Sequence, residues 1–422
     1  MKYDYDVIVI GGGTSGMMAA IQAAQQGAHT MLIDKNKQLG RKLILTGGGR
    51  CNVTNNSSRE DLIEHIPGNG KFLYSSLDQF DQSDIMDFFI QRGIALKEED
   101  HGRMFPISNS ARTIRDCLIN ELKKLNVTVS LNNPVNHIEY DLSNQSVKGV
   151  HDQSREYHSC RSVIVAAGGQ AYPRTGSSGD GYQWAKQAGH HLTDFYATEV
   201  PLLSNDSFIS NKSLQGISLR NVAITLWNDQ GKEIVTHQMD MIFTHFGYSG
   251  PAILRCSGHV NLLLKETKAP FARLSINLIA DYSKQAVLDY AEQNRDKQLS
   301  NILKQWLPDK LIQLLLNLLN CSNKLSYKQL DHKQIEKLFQ LLEAFPITAY
   351  GTQPIAKGFV TGGGVCLKEI TPQSMESKKI KGLFFCGEIL DINGYTGGYN
   401  ITAAFSTGAV AGMHAAWNSQ IN

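Results

Sequence analysis

A glycine cluster near the start of the chain has the spacing of a phosphate-binding turn. Gly11, Gly13 and Gly16 follow the β-branched run at residues 7–10 and precede a stretch of helical composition at 17–24. In such a turn the first glycine permits the tight bend. The second lets a pyrophosphate approach the backbone, and the third lets the helix pack on the strand. Free N–H groups at the start of the helix would then face the phosphates.

The stretch that follows completes a strand–helix–strand unit with an acidic end. Residues 30–33 read as a second strand, and Asp34 follows it, 23 residues after Gly11. A carboxylate at this position usually binds a ribose hydroxyl. The order of these features favours a dinucleotide site over an ordinary strand, turn and helix. It does not decide between FAD and NAD(P).

A basic loop with a second glycine run comes next. Residues 35–50 contain five Lys or Arg and no acidic residue, and they include Gly47, Gly48 and Gly49. Such a run lets backbone N–H groups come close to a ligand. We expect the loop to wrap the same cofactor, the alternative being a solvated loop. Arg41, Lys42 and Arg50 could also hold phosphates of a second ligand.

Glycine-rich turns recur in two groups, one at 162–181 and the other near the end of the chain at 360–400. Residues 162–169 repeat the strand-to-glycine pattern, and further turns occupy 173–181, 360–365, 382–388 and 393–400. An insertion of about 150 residues separates the two groups. This pattern predicts an α/β, Rossmann-type domain built from both chain ends around an inserted domain. The late return favours FAD over NAD, because FAD is the longer molecule.

Composition sets the class of protein. The chain has 422 residues, 42% of them hydrophobic, and a net charge of +2, which predicts two or three globular domains. This mild basicity is compatible with a nucleic-acid partner but is no evidence for one. Seven cysteines without a C-x-x-C pair predict a reduced intracellular protein with no metal site. No signal peptide or membrane-length apolar run is found, so we expect a cytoplasmic protein with no membrane partner.

Several long strings resemble the BaiN/YhiN-type flavoproteins, a branch of the two-dinucleotide-binding-domain flavoprotein clan. They are GGGTSG at 11–16, LTGGGRCNVTN at 45–55, FPIS at 105–108, AAGGQAYPRTGSSGDGY at 166–182, FTHFGYSGPAIL at 243–254, VTGGGVCLKEI at 360–370, MESKKIKGLFFCGEILDINGYTGGYN at 375–400 and AFSTG at 404–408. Ala166 and Ala171 depart from the pattern, where Thr and Ser are usual, and neither position is charged.

The resemblance implies tightly bound FAD and three domains. These are an FAD-binding domain at 1–195 and 346–422, a β-barrel-like insert at 196–280 and 341–345, and a helical subdomain at 281–340. The predicted cofactor residues are Gly11, Gly13, Thr14, Ser15, Gly16, Asp34, Lys35, Arg41, Gly48, Gly49, Arg50, Ala167, Gly168, Asp180, Gly387, Glu388, Gly397, Gly398, Tyr399 and Asn400. For Asp180 a helix cap is an equal alternative, and for Glu388 an N-cap acid is the alternative to a contact with the ribitol or pyrophosphate linker.

The resemblance also implies reduction of a conjugated C=C bond. Family members are associated with forming dihydrouridine in 23S ribosomal RNA and with reducing unsaturated bile-acid intermediates, and relatives with oxidising small aminoketones. The two reductions share hydride transfer from flavin N5 to the β-carbon and proton transfer to the α-carbon. The helix that starts at Gly398–Asn400 would stabilise negative charge on the reduced flavin. Because the chain has one Rossmann fingerprint, NAD(P)H is expected as a transient reductant, the alternative being another reductant.

The proton donor must lie opposite the flavin face. Cys51, beside Arg50 in the glycine-rich loop, is the first candidate, and its alternative is a buried packing role. Tyr399 and His245 are weaker candidates, and His245 is expected to be a packed structural histidine.

Three functions are therefore considered. The first is reduction of a uridine in 23S rRNA, with rRNA as partner, and the weak basicity counts against a large RNA footprint. The second is a flavin reductase or oxidase for a steroid-like or aminoketone small molecule. The third is a flavin-binding redox sensor without catalysis, which would not need every flavin-loop element that the chain retains.

Overall fold

Two β-sheets organise the computed structural model, which describes residues 3–141 and 143–420. One compact unit comprises Met1–Phe195 and Phe359–Asn422, and the other is the intervening Tyr196–Gly358. The strands of the first unit are β1 (Tyr5–Ile10), β2 (Thr30–Ile33), β3 (Thr54–Asn55), β4 (Leu96–Glu99), β5 (Arg103–Pro106), β6 (Thr128–Ser130), β7 (Val135–Asp141), β8 (Ser146–Asp152), β9 (Tyr157–Val165), β18 (Val360–Gly362) and β19 (Leu383–Phe385).

The main sheet of the first unit has the strand order of a dinucleotide-binding domain. Its described strands run β6-β2-β1-β9-β8-β7, and β19 also pairs with β9. The contacts among β6, β2, β1, β9 and β19 are parallel, whereas β7, β8 and β9 form an antiparallel extension. Val7 to Val9 have no exposed surface. Such a continuous apolar run is typical of a parallel strand that is covered on both faces.

The first and last helices of this unit pack directly against each other. Its helices are α1 (Thr14–Gln25), α2 (Arg59–Glu64), α3 (Tyr74–Gln79), α4 (Gln82–Ile90), α5 (Ala111–Lys124), α6 (Asp180–Gln187) and α13 (Tyr399–Gln420). A Cβ on Gly408 would lie 2.4 Å from the Ser15 carbonyl oxygen, and one on Gly412 would lie 2.2 Å from that of Ala19. These glycines therefore let α13 lie directly against α1, which joins the end of the chain to the first glycine turn.

The second unit, all of whose residues are described, contains a closed antiparallel sheet. Its strands are β10 (Tyr196–Thr198), β11 (Leu202–Leu203), β12 (Ser218–Trp227), β13 (Glu233–Phe243), β14 (Gly247–Ser249), β15 (Ala272–Asn277), β16 (Phe345–Ala349) and β17 (Gly351–Thr352). The sheet order is β16-β15-β12-β13-β14-β11-β17. Only Tyr350 separates β16 from β17, so the two ends of the order must meet. The sheet therefore curls into a barrel-like shape.

Helices complete the second unit. They are α7 (Ser207–Ser210), α8 (Pro251–Thr267), α9 (Lys284–Gln293), α10 (Leu299–Leu303), α11 (Asp309–Leu318) and α12 (His332–Glu343). Helix α8 lies within residues 196–280, which were expected to form a β-barrel-like insert. The predicted return to the FAD domain at residue 346 falls inside β16, which pairs with β15 from Phe345 to Ala349. For this reason the second unit extends to Gly358.

Within 3–141 and 143–420, none of the helices combines the length and apolarity needed to cross a bilayer.

Candidate functional site

The first glycine turn divides its glycines between packing and open space. A Cβ on Gly11 would lie 2.4 Å from the Ala166 carbonyl oxygen, and one on Gly16 would lie 1.8 Å from the Gly11 carbonyl oxygen. Both are therefore required by the turn itself. At Gly13 a Cβ would meet no atom within 4 Å in the described part of the chain. This is the glycine whose missing side chain would let a pyrophosphate reach the backbone.

Asp34 lies at the end of β2 and links two loops. Its Oδ2 accepts the Gly12 N–H at 2.6 Å, and its Oδ1 accepts the Asn36 N–H at 2.6 Å. The carboxylate thus lies at the glycine turn itself. This position fits the predicted ribose contact, which stays a prediction.

The basic loop is tied to the loop at 173–181. Arg41 donates to the Arg174 carbonyl oxygen at 2.7 Å, and Lys35 forms an ion pair with Asp180. Asp180 is the first residue of α6 and Gly179 is its N-cap, without a side-chain cap bond. The helix-cap alternative for Asp180 is therefore not what the structure shows.

The glycine run of this loop is left-handed throughout. Gly47, Gly48 and Gly49 have φ of 57°, 68° and 88°, and Cys51 follows at 61°. Among the described residues nothing lies within 4 Å of a Cβ on Gly48 or Gly49, so the backbone there is open to a ligand. Arg50 turns to the β4–β5 hairpin, where its Nη1 lies 2.9 Å from Glu99 Oε1.

Cys51, the predicted proton donor, is enclosed by protein. Its exposed fraction is 0%. Burial raises the pKa of its thiol to about 12, although a hydrogen bond with Thr46 acts in the opposite direction. A thiol without accessible surface cannot touch a substrate unless the loop moves. The geometry favours the packing alternative, and the acid role of Cys51 stays a prediction.

Glu388 joins the late glycine turns to the basic loop. Its Oε2 lies 2.6 Å from Lys42 Nζ, and its Oε1 accepts the Thr361 N–H at 2.9 Å. Gly387 beside it has φ of 76°, and a Cβ there would lie 2.4 Å from Ser15 Oγ. Residues 387–388 therefore lie against the start of α1. Thr361 and Lys42 hold this carboxylate in place, and neither contact was predicted from the sequence.

Ala167 and Gly168 lie on the opposite side of the first turn. The Cα of Ala167 is 3.1 Å from a Cβ built on Gly11, and one built on Gly168 would lie 2.9 Å from Ser177 Oγ. Gly168 has φ of 72°. The turn after β9 thus packs against the glycine turn after β1, as expected for neighbouring parallel strands.

The N-terminus of α13 is packed against β3. Gly398 has φ of 102°, and a Cβ there would lie 2.7 Å from the Thr54 carbonyl oxygen. Asn55 Nδ2 donates to the Gly397 carbonyl oxygen at 2.9 Å. Asn400 accepts the Gly394 N–H at 2.8 Å. The first turn of α13 is therefore held in one position by the loop that follows Cys51.

Two aromatic rings meet at this helix start. The Tyr399 ring, 2% exposed, stacks on the His65 ring with centroids 4.6 Å apart. His65 Nδ1 lies 2.8 Å from the Asp61 carbonyl oxygen. His245, expected to be packed, is exposed, and its ring makes an edge contact with the ring of the neighbouring Phe246.

One carboxyl group in this region was missed. Asp391 lies between Glu388 and Gly397 in the string ILDING, and burial raises its pKa although hydrogen bonds with Thr193, Asn69 and the Gly363 backbone oppose the shift. Buried carboxyl groups of this kind are often functional. The signal in the sequence was an acid between two glycine turns.

Outside these loops, Asp152, Glu156 and His158 lie close enough to share a metal ion. Asp152 already accepts hydrogen bonds from Asn133 Nδ2 at 2.9 Å and from the Glu156 N–H at 3.0 Å. We assign no metal to this group.

The parallel sheet, the open position at Gly13 and the late turns at 387–388 and 397–400 define a Rossmann-type, FAD-binding oxidoreductase with an inserted unit. Its predicted fold class is confirmed. The residues of the first unit fit FAD, because a Cβ at Gly13, Gly48 or Gly49 would meet no atom of the described residues within 4 Å, which leaves the backbone there open to phosphates.

Comparison with known proteins gives the family. Residues 5–414 match the HI0933-like protein Rossmann domain, and the chain belongs to this family, as the resemblance predicted. It is 32% identical to the ribosomal RNA dihydrouridine synthase of Escherichia coli K12 over 96% of both chains. It is 29% identical to the 3-dehydro-bile acid delta(4,6)-reductase of Clostridium scindens over 97% of this chain and 98% of that one.

A solved structure shows the same fold. The 3-ketosteroid delta1-dehydrogenase from Sterolibacterium denitrificans is 14% identical, and the alignment covers 98% of this chain and 99% of that one with a TM-score of 0.54. With this family and this fold, the chain is an oxidoreductase and FAD is its cofactor.

Proposed function

We propose that this chain reduces a uridine of 23S ribosomal RNA to dihydrouridine. The observation that carries the proposal is its similarity to the Escherichia coli ribosomal RNA dihydrouridine synthase over 96% of both chains. The family match over residues 5–414 includes every loop of the candidate site. The proposed rRNA substrate also supports the expected cytoplasmic location.

The first unit supplies the cofactor-binding residues in this proposal. FAD, when bound, supplies the hydride for the C=C bond. Gly13 and the N-terminus of α1 bind the pyrophosphate, and Asp34 binds the ribose. Glu388, whose position is fixed by Lys42 and the Thr361 N–H, binds the linker between pyrophosphate and ring.

The N-terminus of α13 orients the reaction. The backbone N–H groups and the partial positive charge of this helix end stabilise negative charge that develops beside Gly398. Tyr399, the first residue of the helix, is the proposed proton donor; it is 2% exposed, so Tyr399, like Cys51, can touch a substrate only if the surrounding loop moves. His65 holds the ring of Tyr399 by stacking at 4.6 Å. The reductant is NAD(P)H, bound transiently.

A second candidate function is the reduction of an unsaturated steroid-like molecule. It is favoured by the similarity to the Clostridium scindens bile acid reductase, which also extends over nearly the whole chain. Such a substrate has the same need for hydride and proton, but it needs no RNA contact.

Deletion of the gene distinguishes the two functions. We expect dihydrouridine to disappear from purified 23S rRNA and to return when the wild-type gene is restored. A Tyr399→Phe gene that restores FAD-bound protein but not dihydrouridine would support the proton-donor role. Unchanged dihydrouridine in the deletion strain would refute the rRNA proposal.

A second measurement identifies the reductant. The purified holoenzyme is mixed anaerobically with NADH or NADPH, and the visible flavin absorption is followed. We expect bleaching by at least one of them, and no bleaching by either would refute the role of NAD(P)H.

A further inference from the structure

A cleft on the first unit lies away from the cofactor loops. It has a volume of about 420 Å³ and opens to solvent between the β7–β8 turn, the segment at 376–381 and the end of α13. Six of the polar side chains that line it are Asn144, Gln145, Lys378, Lys379, Lys381 and Asn418. No apolar side chain is among the described residues that line it, so it does not suit a steroid or an acyl chain.

The charge of the cleft is positive. Among its described lining residues, three lysines face one acid, Glu376. Glu376 Oε1 accepts the Gly382 N–H at 2.8 Å, and the carboxylate keeps its negative charge. Lys379 is neutralised by Glu369 at 2.7 Å.

The other two lysines keep their charge. Lys378 Nζ donates to the neutral carbonyl oxygen of Lys368 at 2.9 Å. Lys381 is exposed, and its ammonium has no ion pair or hydrogen bond with a residue that the structure describes. Asp141 lies beside Asn144, whose Nδ2 donates to Asp141 Oδ2 at 3.0 Å. Lys378 and Lys381 thus offer two positive charges to an anion, against the one negative charge of Glu376.

The backbone that carries these lysines is fixed. The Lys381 N–H donates to the Gln145 carbonyl oxygen at 2.7 Å, and the Val147 N–H donates to the Lys381 carbonyl oxygen at 3.0 Å. Ser377 Oγ accepts the N–H groups of Lys379 and Ile380, each at 3.0 Å. The spacing of the lysine backbones is therefore set before any ligand binds, which lowers the part of the entropy cost of binding that comes from the main chain.

A buried network holds Ser377 in turn. His190 Nε2 lies 2.7 Å from Ser377 Oγ, and His190 Nδ1 lies 3.1 Å from Glu369 Oε2. Since Glu369 also binds Lys379, the network connects the wall of the cleft to the protein interior. The network therefore fixes the backbone of the segment that carries Lys378 and Lys381.

We propose that this cleft binds the phosphodiester backbone of an RNA strand. Lysine is a common point-charge ligand for phosphate, and backbone neutralisation supplies the sequence-independent part of RNA affinity. The inference deepens the proposed function and rests on it for the choice of RNA as the polyanion. The cleft positions the RNA and takes no part in the reduction.

The salt dependence of binding to protein-free 23S rRNA tests the proposal. The double variant Lys378→Ala/Lys381→Ala is compared with wild type and with the control Lys123→Ala/Lys186→Ala, which removes two exposed lysines from α5 and α6. The slope of log affinity against log salt is negative, and loss of two phosphate contacts should reduce its magnitude by about 1.4 to 1.8. The control should keep the wild-type slope.

Folding and charge are separated by two further measurements. Flavin content and bleaching by NAD(P)H should be unchanged in both double variants. The conservative variant Lys378→Arg/Lys381→Arg should restore the slope. Equal slopes for wild type and Lys378→Ala/Lys381→Ala would overturn the cleft proposal. Unchanged dihydrouridine in the deletion strain would refute only the proposed function, and a slope that depends on these lysines would still support an RNA-binding cleft.

Discussion

Replacing Gly13 by alanine should separate cofactor binding from folding. Gly13 has φ of −81° and ψ of −167°, which any residue can adopt. The described residues leave a Cβ at this position free of contacts within 4 Å. The apoprotein should therefore keep its stability, or gain about 0.4–1 kcal/mol from a less flexible unfolded chain.

FAD binding should weaken, because the added methyl group occupies the space that the pyrophosphate needs. Overpacking of this kind costs about 1–3 kcal/mol, which corresponds to a roughly 5- to 150-fold higher Kd. The assay is titration of apoprotein with FAD by flavin fluorescence, beside urea unfolding of the same apoprotein.

Two glycines provide controls. Gly351→Ala adds a methyl group in open space of the second unit and should change neither FAD affinity nor stability appreciably. Gly16→Ala would place a Cβ 1.8 Å from the Gly11 carbonyl oxygen and should fail to fold normally. If Gly13→Ala binds FAD as tightly as wild type, the assignment of this turn to the pyrophosphate is wrong.

Two further predictions concern buried groups. Cys51→Ala should keep FAD and turnover while losing about 1 kcal/mol of unfolding free energy, because the thiol is enclosed by protein; a folded variant that retains FAD but loses turnover would instead establish Cys51 as the acid. Burial raises the pKa of Glu369, but hydrogen bonds from Lys379 and His191 outweigh this effect and lower the pKa from 4.5 to about 2. The unfolded chain then binds more protons in this range, so the stability that Glu369 contributes is present above its unfolded pKa of 4.5 and is lost as pH falls towards about 2. Urea unfolding at several pH values should show this loss in wild type and less of it in Glu369→Gln, and parallel profiles would contradict the assignment.

The local sequence was sufficient to predict those elements whose residues each have a definite steric reason. The strand–glycine–helix order at Val7–Gly16 predicted β1, the turn and α1, because each glycine position has a separate steric reason. Helix α8 was missed although its start is marked by Gly250 and Pro251. Its buried positions Ala252, Ile253 and Cys256 have helical spacing. The strand-like segments on either side of α8 made this helical spacing hard to recognise.

Partners distant in sequence could not be predicted. The sequence gives no rule that joins Lys42 to Glu388, residues separated by 346 positions, or Asn55 to Gly397. Residue type was also insufficient to predict burial. Cys51 is enclosed by protein, whereas His245, which was expected to be packed, is exposed. These properties depend on which loops meet at the ends of parallel strands.

The sequence by itself determined the kind of cofactor and the class of fold, because glycine spacing, strand composition and the late glycine turns act over short distances. The tertiary structure decided how the site is divided. Gly11 and Gly16 are in close contact with neighbouring backbone atoms, whereas the position of a Cβ on Gly13 is free of contacts with the described residues. Gly408 and Gly412 let α13 lie directly on α1. That division depends on distances between backbone atoms of separate segments, which only the folded chain brings together.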